Sequence, residues 1–190
     1  MILITTSRRP TRRIRTFCND LARCIPNSIR VNRGKLSREG VAEKAMEIDA
    51  DRIIIVNRWK GGPGKIEFFK LNESLVGVPP LLYIRGIKLQ REMGFPKTRP
   101  FRSLAITAVY TSDEEEIPRL AGALSEFLEA PIATLEELLK QSYHVFMHIS
   151  RDVSERIRIT FFKLPENREI GPRITVSHVI WSLEKPAHES

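Results

Sequence analysis

Cysteine is scarce in this chain, two residues in 190, Cys18 and Cys24. A lone pair makes no disulfide framework. On one helix their α-carbons would stand about 9 Å apart along the axis, too far to bridge. Both are expected as small buried side chains in a reducing cytoplasm. Long apolar runs are missing too: none approaches the roughly 20 residues that span a bilayer. The amino-terminal stretch is not expected to be an export signal, because arginines interrupt it where an apolar core should continue.

Constellations for chemistry are equally thin. His144 and His148 lie four apart in a strand-like run, about 13 Å along the chain, without the Cys or carboxylate partners of a metal site. Gly61-Gly62-Pro63-Gly64-Lys65 lacks the spacing of a phosphate loop, and Ile66 stands where a magnesium-binding hydroxyl should be; it reads as a hairpin turn. Glu114, Glu115 and Glu116 read as a solvated cluster at a helix start rather than a magnesium site. No nucleophile, base and orienting group come together by any spacing. No catalytic residue, metal or cofactor is therefore assigned.

Positive charge is abundant and unevenly placed. The chain carries 31 basic and 23 acidic residues, a formal net charge of +8. Within the first 35 residues stand Arg8, Arg9, Arg12, Arg13, Arg15, Arg23, Arg30, Arg33 and Lys35 against Asp20 alone, nine minus one, so everything after Lys35 sums to zero. Such a footprint points to a polyanion as partner, here RNA.

The pattern along the chain is α/β. Ile2–Thr6 reads as a central strand covered on both faces. Thr11 caps a helix whose inner face is Ile14, Phe17, Cys18, Leu21, Cys24 and Ile25. Ser28–Asn32 is a short strand. Ser37 caps a second helix with Val41, Ala42, Ala45 and Met46 inward. Arg52–Val56 and Lys65–Leu71 form a hairpin, and Leu81–Ile87 adds a strand. Gly94–Pro100, with Pro96, Lys97 and Arg99, reads as a linker followed by Arg102. Then come a strand over Leu104–Tyr110, a helix capped by Asp113 with Glu114, Glu115 and Glu116 in its first turn, and a shorter helix from Thr134. Strands over Tyr143–Ile149, Arg156–Leu164 and Ile174–Leu183 follow, with a frayed tail at 185–190.

The halves echo each other. Phe68-Phe69-Lys70-Leu71 recurs 93 positions later as Phe161-Phe162-Lys163-Leu164, each followed by a turn with Gly and Pro and by an apolar run. The same element order surrounds both. An internal duplication follows, with a basic, RNA-facing half at 1–95, a second half at 101–184, and a small sheet in each.

Ile4-Thr5-Thr6-Ser7-Arg8-Arg9-Pro10-Thr11-Arg12-Arg13-Ile14-Arg15, then Phe17, Asp20-Leu21, Pro26-Asn27-Ser28 and Arg33-Gly34, resembles the opening of the Brix domain. A second landmark of that family is Ile159–Leu164 followed by Glu169-Ile170-Gly171-Pro172-Arg173-Ile174-Thr175. The chain resembles a compact archaeal, Imp4-like member along essentially its whole length, with Leu75–Phe101 matching least well. The resemblance implies two similar α/β halves, each like the anticodon-binding domain of class IIa aminoacyl-tRNA synthetases. It also implies a non-catalytic factor of ribosome biogenesis. Such a factor binds ribosomal RNA precursor or an associated small RNA, and further partners among ribosomal or other assembly proteins are open. The alternatives are a nucleic-acid-processing enzyme or a protein-interaction module of a pre-ribosomal complex.

On the RNA reading, Arg8, Arg9, Arg12 and Arg13 straddle a strand-to-helix junction, where free helix amides can join them around a phosphate. Arg15, Arg30, Arg33, Lys35, Arg58 and Lys60 extend the basic face. Trp59 is either a base-stacking residue or a partly buried residue at the sheet end. Glu169, Gly171, Pro172 and Arg173 are either a docking feature or a tight turn held by an ion pair.

Overall fold

The computed structural model describes residues 1–95 and 99–183. Pro96 and Lys97 of the expected linker, and the expected tail at 185–190, lie outside the described residues. In chain order the elements are β1 (Ile2–Thr6), α1 (Arg12–Cys24), β2 (Ser28–Arg30), α2 (Arg38–Glu47), β3 (Arg52–Trp59), β4 (Gly62–Leu71) and β5 (Leu75–Lys88). A 3-10 turn at Gln90–Met93 follows. Then come β6 (Leu104–Ala108), α3 (Glu116–Leu128), α4 (Leu135–Lys140), β7 (Val145–Arg151), β8 (Ile157–Lys163), β9 (Arg168–Glu169) and β10 (Arg173–Ile180). None of the described helices is long and apolar enough to cross a membrane.

A separate small sheet in each half is not what forms. The strands make one ten-stranded sheet in the order β2-β1-β3-β4-β5-β10-β8-β7-β6, with β9 on β8. The seam is β5 against β10, antiparallel from Arg173–Lys88 to Ile180–Leu81. A strand of 14 residues is long enough to hold β4 on one side and β10 on the other. Outward from the seam the two sides have matching order. β3 and β1 are parallel beyond β4, and β7 and β6 are parallel beyond β8. A single bridge, Ile106 to Ile132, stands where β2 stands on the other side.

Alternation along the strands sends apolar residues to both faces. Ile54, Phe68, Met147 and Phe161 meet Phe17 and Leu21 of α1 and Leu120 and Phe127 of α3 in one buried cluster. On the opposite face α2 covers Leu3, Ile53, Ile55 and Phe69, and Leu138 of α4 covers Ala105 and Phe146. Between those two helices the middle of the sheet carries polar side chains. The core is common to both halves: Phe127 of α3 meets Phe68 of β4 edge-to-face at 5.0 Å, and Arg52 of β3 donates to the Phe127 carbonyl at 2.7 Å.

Two local expectations change. Asp113 does not cap α3; the helix starts at Glu116 after Glu115, which makes no side-chain cap. A start at Asp113 would place Pro118 inside the helix, where it removes a hydrogen bond and clashes with the preceding turn. Starting at Glu116 puts Pro118 in the first turn, whose amides are free anyway. Met46 is 58% exposed, and Ile48, just past the end of α2, packs on that cluster in addition to Val41 and Ala45. Cys18 and Cys24 are buried free thiols, and burial pushes the Cys18 thiol up to about 12.

Candidate nucleic-acid interface

The parallel pairing of β1, β2 and β3 brings their carboxyl ends to one edge of the sheet. Each is followed by a basic segment: Arg8 and Arg9 after β1, Arg33 and Lys35 after β2, and Arg58 to Lys60 closing β3. This end of an open α/β sheet is where loops converge on ligands.

Hydrogen bonds lock the segments together. Ser7 N–H donates to the Val56 carbonyl at 2.9 Å, and Arg58 N–H donates to Ser7 Oγ at 3.1 Å. Arg9 takes a left-handed backbone with φ of 55°, which turns the chain from β1 towards α1, and Arg58 Nη1 donates to its carbonyl at 3.3 Å. Thr11 accepts from Ile14 N–H at 3.4 Å, capping α1, and its hydroxyl donates to Gly61 O at 3.0 Å. The hairpin tip is therefore fastened to the helix start. No acidic residue occupies the first turn of α1, so its positive dipole end and the arginines add rather than cancel.

The eleven expected residues divide by what they touch. Arg8, Arg9, Arg12, Arg15, Lys35, Arg58, Trp59 and Lys60 are exposed. Of these, Arg8 reaches the Leu36 carbonyl at 3.4 Å, and Arg15 donates to the Pro10 carbonyl at 3.2 Å. Arg13 is engaged inside the chain: its guanidinium is paired with Glu92 and donates to the Ile87 carbonyl at 2.9 Å. Arg33 is buried, with Nε donating to Leu36 O at 2.8 Å. Burial first, then the like charges of Arg8 and Arg38, lower its pKa. Arg30 is half-buried, and its Nε finds no hydrogen-bond partner among the described residues. The exposed set is thus narrower than the sequence suggests; apart from Lys35 it stands at the β1–α1 turn and the hairpin tip, which the Arg58–Arg9 and Thr11–Gly61 hydrogen bonds join.

The matching end of the second half is built differently. There Arg151 of β7 is paired with Glu114 and Glu116, so two of the three glutamates of the acidic run are engaged within the chain. Beside it lies an open pocket of about 520 Å³ lined mainly by apolar groups, among them Val109, Ile132, Leu135 and Phe162. His148 faces the same pocket; burial lowers its pKa, and its Nδ1 lies 2.8 Å from Thr107 Oγ1. Among the described residues no three metal-ligating side chains cluster.

The Glu169–Arg173 segment is half-buried at its ends and internal at its centre. Gly171 and Pro172 are buried, and the Gly171 carbonyl accepts from Gln90 Nε2 at 3.1 Å and Cys24 Sγ at 3.3 Å. Gln90 N–H in turn donates to the buried Asp20 at 3.1 Å. Burial raises the Asp20 pKa, against the lowering effect of that bond and of Arg23. Arg173 pairs with Glu169, whose other partner is Thr160 Oγ1 at 2.7 Å. These contacts hold the turn under α1 at the junction of the halves.

Two aromatic groups near Trp59 carry no signal in the sequence. Tyr83 of β5 and His178 of β10 stack with ring centroids 4.4 Å apart and planes at 13°. They stand 95 residues apart in the chain, and the β5–β10 register alone brings them together.

No protein-family model matches the chain. A probable Brix domain-containing ribosomal biogenesis protein of Pyrococcus horikoshii is 34% identical over 193 residues, spanning 97% of this chain and 85% of the relative. The protein of the same name from Thermococcus kodakarensis is 33% identical, over 97% of this chain and 92% of its own. Among solved structures, a probable ribosomal biogenesis protein of Aeropyrum pernix superposes with a TM-score of 0.76 at 28% identity, covering 92% and 94% of the two chains. Mil, an archaeal Imp4-like protein, shares the fold with a TM-score of 0.64 at 17% identity, covering 95% and 99%.

Proposed function

This chain belongs to the Brix domain family of ribosomal biogenesis proteins, and from that membership we propose that it is a non-catalytic RNA-binding factor acting in ribosome biogenesis in the cytoplasm. It holds ribosomal RNA precursor, or an associated small RNA, through the arginine edge and assists its folding and processing. The observation that carries this reading is the exposed group of Arg8, Arg9, Arg12 and Arg58 at the carboxyl ends of β1 and β3. In the second half the corresponding position carries acidic residues instead, of which Glu114 and Glu116 pair with Arg151. Guanidinium forks engage phosphate oxygens in pairs and stay charged at any working pH. Contacts of this kind position an RNA backbone and read little sequence.

The two halves are read as products of an internal duplication, each similar to a class IIa anticodon-binding domain. Support comes from the matched strand order on either side of the seam and from the paired rows Ile54–Phe68 and Met147–Phe161. The second half, with its apolar pocket, is the side on which ribosomal or other assembly proteins would dock.

The test is affinity for a ribosomal RNA fragment as a function of salt. Replacing both Arg9 and Arg12 by alanine is expected to weaken binding and to lower the slope of log K against log salt by about 1.5, the loss of two phosphate contacts. Labelled RNA incubated with the protein and magnesium is expected to stay intact. Unchanged affinity and slope would remove the arginine edge from the interface, and turnover that follows the purified protein would favour an enzyme.

A further inference from the structure

We infer that the groove between Trp59 and the Tyr83–His178 pair is a subsite for an unpaired nucleobase, so that the RNA held here presents a single-stranded segment. This rests on the RNA reading above and adds to it a second kind of contact, made by both halves.

The groove is built by register. Asn57 pairs with Lys65, Lys65 with Tyr83, and Tyr83 with His178. One polar row therefore crosses β3, β4, β5 and β10, on the face that α2 and α4 leave open. Two irregularities aim the aromatic groups. In β4 the pairing slips between Asn57 and Arg58, and Gly64 is the residue passed over. In β10 it slips between Val176 and His178, and Ser177 is passed over, its hydroxyl donating to the Tyr83 carbonyl at 3.2 Å. Such bulges re-aim side chains. The result is an open groove of about 510 Å³ lined by Arg58, Trp59, Lys65, Tyr83 and His178, with Gly64 among its other residues.

Its chemistry suits a base. Trp59 is 69% exposed and Tyr83 36% exposed, which leaves aromatic surface open on both sides of the groove. Aromatic faces stack on any base, and cations beside them hold the connecting phosphates. Arg58 lines the groove and also contacts Arg9, so one backbone can run from the arginine edge to the aromatic row. A paired base is stacked on both faces within its helix and offers no free surface, so only a splayed base enters. A cross-strand Tyr–His stack that served the sheet alone would give Trp59 no reason to be bare across the same groove.

The full chain with Trp181→Phe keeps Trp59 as its sole tryptophan. Titration with a single-stranded RNA oligonucleotide is expected to quench Trp59 emission saturably. A blunt duplex of the same sequence should bind by anisotropy without that quench. In the native background, Trp59→Leu and Tyr83→Leu should each weaken the single strand roughly tenfold and leave duplex affinity and its salt slope unchanged. Since Tyr83→Leu can also loosen the sheet, the exposed Trp59→Leu is the deciding variant. The proposal is overturned if the single strand binds with Trp59 emission unmoved, or if Trp59→Leu binds single strand as tightly as the parent chain. If the Arg9, Arg12 double variant alone loses affinity, the arginine reading stands without the subsite. If neither RNA binds, both readings fall.

Discussion

At the scale of single residues, one glycine decides where the exposed tryptophan points. A Cβ built on Gly64 would lie 2.2 Å from the Trp59 Cβ and 3.2 Å from its backbone nitrogen and Cα. No flexible side-chain tip is available to move aside, so either the bulge or Trp59 must shift. Gly62, two residues earlier, has nothing within 4 Å of the same position. Gly64→Ala is therefore expected to destabilise the chain by about 1–3 kcal/mol and to shift the emission maximum of Trp59 in the Trp181→Phe background. Gly62→Ala serves as the control and should move neither. Urea titration read by far-UV ellipticity checks the first effect and the emission spectrum the second. Equal behaviour of the two variants would mean that the close approach does not exist in solution.

At the scale of elements, the turn between β8 and β10 is held by charge. Burial raises the Glu169 pKa, but the hydrogen bonds from Arg173 and Thr160 outweigh it and hold the carboxyl below the usual glutamate range. A group whose folded pKa is depressed contributes stability above its unfolded value, about 4.3, and that contribution disappears as pH falls through the folded value. Glu169→Gln is thus expected to cost about 1.5–3 kcal/mol near pH 7. Below about pH 4 the gap to the parent chain should narrow, as urea midpoints across pH 3 to 7 would show. A gap independent of pH would show that the ion pair is not what the carboxylate contributes.

That turn was legible in the sequence as an alternative, with Arg173 meeting Glu169, because the partners are four residues apart. The helix faces were legible for the same reason. All six residues expected on the inner face of α1, Ile14 to Ile25, are buried, since a 3.6-residue period needs only local information. What needed distant information was not legible. Arg12 and Arg13 are adjacent and chemically identical, yet only Arg13 finds Glu92, 79 positions away. Tyr83 and His178 are unremarkable in their own segments and meet through the register of two bulged strands. The hairpin tip was mistaken in extent: Lys60 and Gly61 alone have positive φ, the two-residue turn that suits strand twist, while Gly62 to Gly64 already belong to β4.

At the scale of the whole molecule, the echo of Phe68–Leu71 in Phe161–Leu164 is visible in the sequence and the way the two sides of the sheet join is not. β5 contains two prolines and two glycines, a composition that argues against a central strand, and only its pairing with β10 makes it the middle of the sheet. The helices also cross the seam. α3 sets Phe127 on Phe68, Arg52 of β3 donates to the Phe127 carbonyl and to Glu129, and Cys24 and Gln90 hold the Gly171 carbonyl from the other side. Neither half can open without exposing part of a core that the other helps to form. Unfolding is therefore expected as a single transition, with Trp59 emission in the Trp181→Phe background and far-UV ellipticity coinciding and the calorimetric enthalpy equal to the van't Hoff value. Phe127→Ala removes a ring that is 3% exposed and should cost about 3–5 kcal/mol, lowering that one midpoint for both probes together. If Trp59, in the first half, kept its native transition while the ellipticity lost a separate earlier phase, the halves would be independent units resting against each other, and the continuous sheet would not be a continuous folding unit.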